Sequence, residues 1–305
     1  MHHRIMRQFA IISLAILALS AGPAAAQVTA QVRATFEAES DRSFGDPHDV
    51  VLSPDGGRLY VADVNNNAVK VLDPQSLATV GAFGAAELSR PHDVAFDPAG
   101  RLLVADTGNN RIAIYEVSGA SGRLVDEITG LASPEGVAAA PDGTVYLTNV
   151  GRHNVEAWRD GERIARVGGR GSGANEYIRP HDIDIGPDGR IYVSDPGNDR
   201  IQILDDALRR VDAIGGDGYR FNEPKYFAID AKGWIIVSDE FNNQIKILNE
   251  AHEIVGVIGS GKLGLGPGEF NQPEGVEIRG GMLWVSDTHN GRIMRFSLAG
   301  MSAVP

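Results

Sequence analysis

Six times along the chain a proline precedes one variable residue and then a short, mostly apolar run. The variable residues are His48, His92, Glu135, His181, Lys225 and Glu274, at spacings of 44, 43, 46, 44 and 49 residues. A fixed period of this size marks a repeat architecture and matches the length of a four-stranded propeller blade. The expected fold is therefore all-β, a six-bladed β-propeller forming one domain over residues 27–305.

Each repeat reads as the same four strands. The first is the run after the Pro-x pair, at residues 49–52, 93–96, 136–139, 182–185, 227–229 and 275–278, apolar as for strands buried on both faces. A turn follows, as in Pro54-Asp55-Gly56 or Pro187-Asp188-Gly189, where proline presets φ and glycine accepts positive φ. The second strand is aromatic and β-branched and ends in Asp63, Asp106, Asn149, Asp195, Asp239 or Asp287. These side chains are expected to bond N–H groups of the turn that comes next. Arg111, Arg200 and Arg292 open third strands, with a repeat-level ion pair as their expected role. The last repeat runs out after Ser297, whereas residues 32–37 form a strand with no other partner. That N-terminal strand is expected to lie beside residues 292–296 and close the ring, removing an open sheet edge.

The chain starts with Arg4 and Arg7, an apolar stretch at residues 9–21 and the small-residue run 24–26. This is the pattern of a secretory signal peptide over residues 1–26, so a periplasmic or secreted protein is expected. The apolar stretch is short of the ~20 residues that span a bilayer, and no membrane insertion is expected after cleavage. The chain has no cysteine, which rules out disulfides and thiolate metal sites. Its formal charge of −12, with no basic stripe, excludes a nucleic-acid binder that works through phosphate contacts. A monomer is expected.

Three segments carry a family resemblance: Pro91-His92-Asp93-Val94-Ala95-Phe96-Asp97-Pro98-Ala99-Gly100, Leu103-Val104-Ala105-Asp106-Thr107-Gly108-Asn109-Asn110-Arg111-Ile112, and the Gly-rich link from Gly259 to Phe270. On these the chain resembles the NHL-repeat family over residues 46–298, which implies a six-bladed propeller and leaves function open among scaffolds, RNA binders and enzymes. The nearest enzyme resemblance is to the peptidyl-α-hydroxyglycine α-amidating lyases. They are also six-bladed and hold zinc in the channel with histidines of Pro-His pairs from alternate blades. Carried over, those positions fall on His92 and His181, which match, and on Glu274, which does not. The family's tyrosine and two arginines align with Gly151, Val64 and Pro196, so they are not retained.

The ring can also be read without the family. In a propeller the first strand of each blade lines the channel, so the residue before it sits at one mouth and six of them meet. His92, His181 and Glu274 come from alternate blades and supply two imidazoles and a carboxylate, a donor set suited to zinc or, as second choice, iron. His48 is the expected fourth contact or acid–base group, and Lys225 the anchor for an anionic substrate group. Glu135, Tyr226, Phe241 and His289 are the expected substrate contacts, with His153 a further turn histidine on the same face. Asp49, Asp93 and Asp182 follow histidines and are expected to orient imidazoles. Gly259 to Gly264 fits G-x-G-x-x-G, but it lies between blades and reads as a linker. Two functions remain: a metal-dependent lyase acting on a small or peptide-like substrate, or a metal-free scaffold presenting its top face to a protein, peptide or glycan.

Overall fold

The computed structural model describes residues 32–301, so the expected leader and its cleavage point lie outside the described residues. Six four-stranded antiparallel sheets form a six-bladed propeller, and the helical content among the described residues is six single-turn 3-10 segments. The innermost strands are Pro47–Leu52, Pro91–Phe96, Pro134–Ala139, Ile183–Ile185, Pro224–Ile229 and Val276–Arg279, in blades 1 to 6. As expected, the outer strand of blade 6 comes from the N-terminal end: Arg33–Glu39 runs antiparallel to Arg292–Ala299, with Phe36 opposite Phe296.

Strand side chains point alternately to the two faces of a sheet, and each face meets the next blade. Six buried apolar clusters result, one at each interface. Between blades 1 and 2, Tyr60, Val69 and Val71 pack on Val94, Leu102 and Tyr115. Between blades 5 and 6, Trp234, Ile245 and Ile247 pack on Phe270, Leu283 and Phe296. Each large apolar side chain buried this way contributes about 1.5–3 kcal/mol, so the interfaces rather than the isolated blades hold the ring together.

The Asx residues that end the second strands differ from expectation. Their Oδ1 atoms accept N–H groups from the loop that precedes the blade: Gly45 on Asp63, Ser89 on Asp106, Ile178 on Asp195, Asn222 on Asp239 and Asn271 on Asp287, all at 2.6–2.8 Å. The backbone of the following turn closes on itself, as where the Asn67 N–H donates to the Val64 carbonyl, and only its asparagine side chain reaches back, as Asn66 does to Asp63 Oδ2 at 2.7 Å. Their Oδ2 atoms take a cation from the third strand: Arg111, Arg200 and Arg292 lie 2.7, 2.8 and 2.8 Å from Asp106, Asp195 and Asp287. The expected arginine ion pairs are thus found, and each belongs to a clasp between loop, second strand and third strand.

Candidate functional site

The Pro-x residues meet at one end of the channel, and they are more buried than a solvent-facing ring would be. His48, His92, His181 and Glu274 are only 7, 4, 6 and 2 % exposed. Two histidine–glutamate contacts cross neighbouring blades. His48 Nδ1 lies 2.9 Å from Glu274 Oε2, and His181 Nε2 lies 2.8 Å from Glu135 Oε2. Glycine makes both contacts possible. A Cβ on Gly136 would collide with the His181 carbonyl, and one on Gly275 with the His48 carbonyl, so only glycine lets these innermost strands approach so closely. In both contacts the glutamate Oε2 has no aligned hydrogen bond, and the same holds for His48 Nδ1. The contacts are close without being aligned hydrogen bonds, and they leave buried lone pairs unused.

Lys225 is not free to anchor a substrate anion. Its ammonium sits 3.0 Å from Glu274 and 3.0 Å from Glu240. Burial alone would lower its pKa, but Glu274 and then Glu240 hold it above the usual lysine range. Burial would raise Glu274, yet His48 and Lys225 keep it well below the usual carboxylate range. For Glu135, burial is likewise overridden, by His181 first, and its pKa falls to about 2.

His48 and His92 touch edge to face, with ring centroids 4.6 Å apart, and their titrations diverge. Burial would depress His48, but Glu274, backed by Asp46 at 3.6 Å from Nε2, raises it to about 9. Burial, reinforced by the charge of His48, lowers His92 to about 4. The His92 Nδ1 lies 2.8 Å from the Arg90 carbonyl, which can only accept, so Nδ1 carries the proton and Nε2 keeps its lone pair.

The donor set as arranged does not fit a cation held by His92, His181 and Glu274. Glu274 already faces an imidazole and an ammonium, His181 faces Glu135, and an ammonium stands where charge would repel a metal. Among the described residues no three His, Asp or Glu side chains form a metal-holding group.

Asp49, Asp93 and Asp182 also differ from expectation. The innermost strand of a sheet leaves N–H groups facing the channel with no strand to receive them. The carboxylates of one blade accept them from the next: Val137 N–H donates to Asp93 at 2.7 Å, Phe227 to Asp182 at 2.7 Å, Ile229 to Asp184 at 3.2 Å and Val94 to Asp49 at 3.4 Å. These residues stitch blades together rather than orienting imidazoles. They line a chamber of about 750 Å³, together with Asp184, Glu277 and Arg279. Burial raises Asp93 to about 6, Asp184 to about 7 and Glu277 to about 8.

Of the other expected contacts, Tyr226 joins the ring while Phe241 and His289 lie exposed on 3-10 turns. His153 is a structural residue: it caps its turn at φ +53°, and its Nδ1 accepts the Arg179 N–H at 3.1 Å. Glu240 and Glu277 were not among the sequence candidates. Glu277 could have been found, because Val276-Glu277-Ile278 places one acid on the channel side of an apolar strand.

A consequence for stability follows from Glu277. Its carboxyl holds a proton when folded that the unfolded chain releases near its ordinary value of 4.5. The stability this proton gives is complete below about 4.5 and is lost as pH rises through about 8. Glu277→Gln should therefore raise the melting temperature at pH 9 by ~5 °C, from ~1–2 kcal/mol, and leave it unchanged at pH 4. Equal shifts at both pH values in a calorimetric series would rule this out.

Fold and ring define the class, a six-bladed propeller with a polar site in its central channel. The NHL repeat signature matches residues 44–72, 88–115 and 178–204, in blades 1, 2 and 4, so the chain carries NHL repeats. A search of curated protein sequences gives no match. Among solved structures, an inactive virginiamycin B lyase from Staphylococcus aureus with quinupristin is similar at 13 % identity and a TM-score of 0.62, over 88 % of this chain and 100 % of that one. A gluconolactonase from Xanthomonas campestris is similar at 16 % identity and 0.66, over 88 % and 90 %. An auxiliary nutrient binding protein from Bacteroides thetaiotaomicron is similar at 15 % identity and 0.67, over 88 % and 76 %. At these identities the likeness is one of fold.

Proposed function

We propose that this protein is an exported propeller enzyme of the lyase or lactonase kind, acting on a small or peptide-like substrate by acid–base chemistry at the Pro-x ring. The observation that carries this reading is the edge-to-face contact of two imidazoles in opposite settings, His48 between the Glu274 and Asp46 carboxylates and His92 with Nδ1 on the Arg90 carbonyl, which favour a charged and a neutral ring respectively. Environments that push two titratable groups apart define an acid and a base. In a lyase step His92 Nε2 takes a proton from a carbon beside a carbonyl. The electron pair forms a carbon–carbon double bond as the neighbouring C–O bond breaks, and the departing oxygen takes the proton of His48. Glu274 and Asp46 favour the charged form of His48, and Lys225 fixes Glu274 in place. Fold neighbours named as a lyase and a gluconolactonase support this class of reaction.

The test is a titration of the histidine ring signals by NMR. His48 should remain charged through neutral pH and His92 should stay neutral down to about 4. Two histidines titrating together near ~6.5 would overturn the assignment. Turnover of quinupristin or gluconolactone, the probes their neighbours' names suggest, should show a plateau between about 4 and about 9 and fall at least ~100-fold in His92→Gln. A scaffold reading is favoured by the exposure of Phe241, Leu263 and Leu265 at 45, 66 and 53 %. Under it, Phe241→Ser would weaken capture of a protein, peptide or glycan that His92→Gln leaves intact.

A further inference from the structure

We infer that Tyr226 is a positioning residue that forms the floor of the ring, dividing the central channel into two compartments that do not exchange water. The tyrosine belongs to blade 5, and its hydroxyl reaches within 3.5 Å of the His92 carbonyl in blade 2, directly across the channel. Its ring stands edge-on to His48 at 6.2 Å, and the residue is 0 % exposed. Charges act on it from both sides, Glu135 and Glu274 from the ring and Asp49 and Asp93 from the chamber. The chamber of about 750 Å³ is bounded by Asp49, Asp93 and Asp182 at that end and by Pro54, Pro98 and Pro187 at the other, and no Pro-x residue lines it. It opens where the turns between first and second strands lie, on the face away from the ring.

The sequence explains why one side chain suffices. The residues after the six Pro-x positions are Asp49, Asp93, Gly136, Asp182, Tyr226 and Gly275. Gly136 and Gly275 bring the backbones of neighbouring blades together, so they add no side chain at the axis, and the phenol ring of blade 5 is the one large side chain that reaches across to the His92 carbonyl. The backbone of Tyr226 is clamped as well: its N–H donates to Ser238 Oγ at 3.1 Å, and the same hydroxyl donates back to its carbonyl at 3.0 Å. A clamped aromatic ring in a close-packed channel leaves no path for water. A ligand of the ring must then enter from the Pro-x mouth alone, and anything held in the acidic chamber is a separate event.

This inference does not rest on the acid–base reading, because its test needs no substrate. Deuterium exchange at the imidazole Cε1–H can be followed by mass spectrometry, each rate normalised by that histidine's own titration. In Tyr226→Ala, exchange at His48 and His92 should accelerate at least ~10-fold while exposed His289 is unchanged. Tyr226→Phe should exchange like the natural protein, since the ring and not the hydroxyl fills the channel. A folded Tyr226→Ala with exchange within ~2-fold of natural would overturn the inference. So would Tyr226→Phe exchanging as fast as Tyr226→Ala. Should the alanine variant fail to fold, Tyr226→Leu replaces it, with an intermediate acceleration expected and natural rates counting against the floor. Histidines that titrate normally while the alanine variant still accelerates exchange would sink the acid–base reading alone.

Discussion

Deletion of residues 32–40 is expected to lower the melting temperature by ~15 °C and to drive the protein into larger soluble oligomers. The deleted strand carries Val32, buried against blade 5, and Phe36, packed edge-on to Phe296 at 5.9 Å. It also holds Glu39, which pairs with Arg292. Lost apolar burial and strand pairing together come to ~5 kcal/mol, at least a third of the ~5–15 kcal/mol usual for a domain. The outcome beyond stability is specific: Arg292–Ala299 becomes an open edge eight residues long, a template for pairing with another chain. Light scattering and calorimetry on the truncated protein check both parts. Unchanged size with natural melting would show that the N-terminal strand is an ornament rather than the closure.

The second large effect is expected at Asp287. Its carboxylate and the Arg292 guanidinium are both 0 % exposed and lie 2.8 Å apart. Asp287 also accepts the Asn271 N–H and the Asn290 amide. Asp287→Ala leaves the buried Arg292 with Glu39 as its one remaining carboxylate and leaves two donors without an acceptor, at a cost of about 3 kcal/mol, the lower end for a broken buried pair. Adding Arg292→Met should restore part of the loss, because it removes a buried guanidinium that has lost one of its two carboxylate partners. Denaturant unfolding of the single and double variants measures this. A double variant no more stable than Asp287→Ala would mean that the loop contacts and not the stranded charge dominate.

The period, the closure of the ring and the meeting of the six Pro-x residues were all legible in the sequence, because a fixed spacing repeats geometry as well as residues. The pairing inside the ring was not. Equal spacing suggests alternate blades, whereas His48 with Glu274 and His181 with Glu135 are neighbours. The cause lies one residue further on, in Gly136 and Gly275, which draw two pairs of strands together. Burial was equally hidden. A mouth of six polar residues reads as wet, but Tyr226 beneath it and the mutual ion pairs exclude water. Glu240 escaped notice because it sits on a turn, and only the folded chain brings it to Lys225. The aspartates beside the histidines were misread for the opposite reason. Adjacent in sequence, they point to the other side of the strand, as a period of two requires, and serve the next blade.

The glycine seams also change what counts as the repeating unit. Blades 1 to 3 carry His-Asp, His-Asp and Glu-Gly after their prolines, and blades 4 to 6 carry His-Asp, Lys-Tyr and Glu-Gly. A rotation by half a turn therefore maps one seam onto the other, His48 onto His181 and Glu274 onto Glu135. Only the middle blade of each half breaks the match, with His92 and Asp93 opposite Lys225 and Tyr226. The ring thus reads as two half-rings in one chain, alike at their seams and different at the axis. The lone pair of His92 faces the axis from one half; the ammonium of Lys225 and the phenol ring of Tyr226 come from the other.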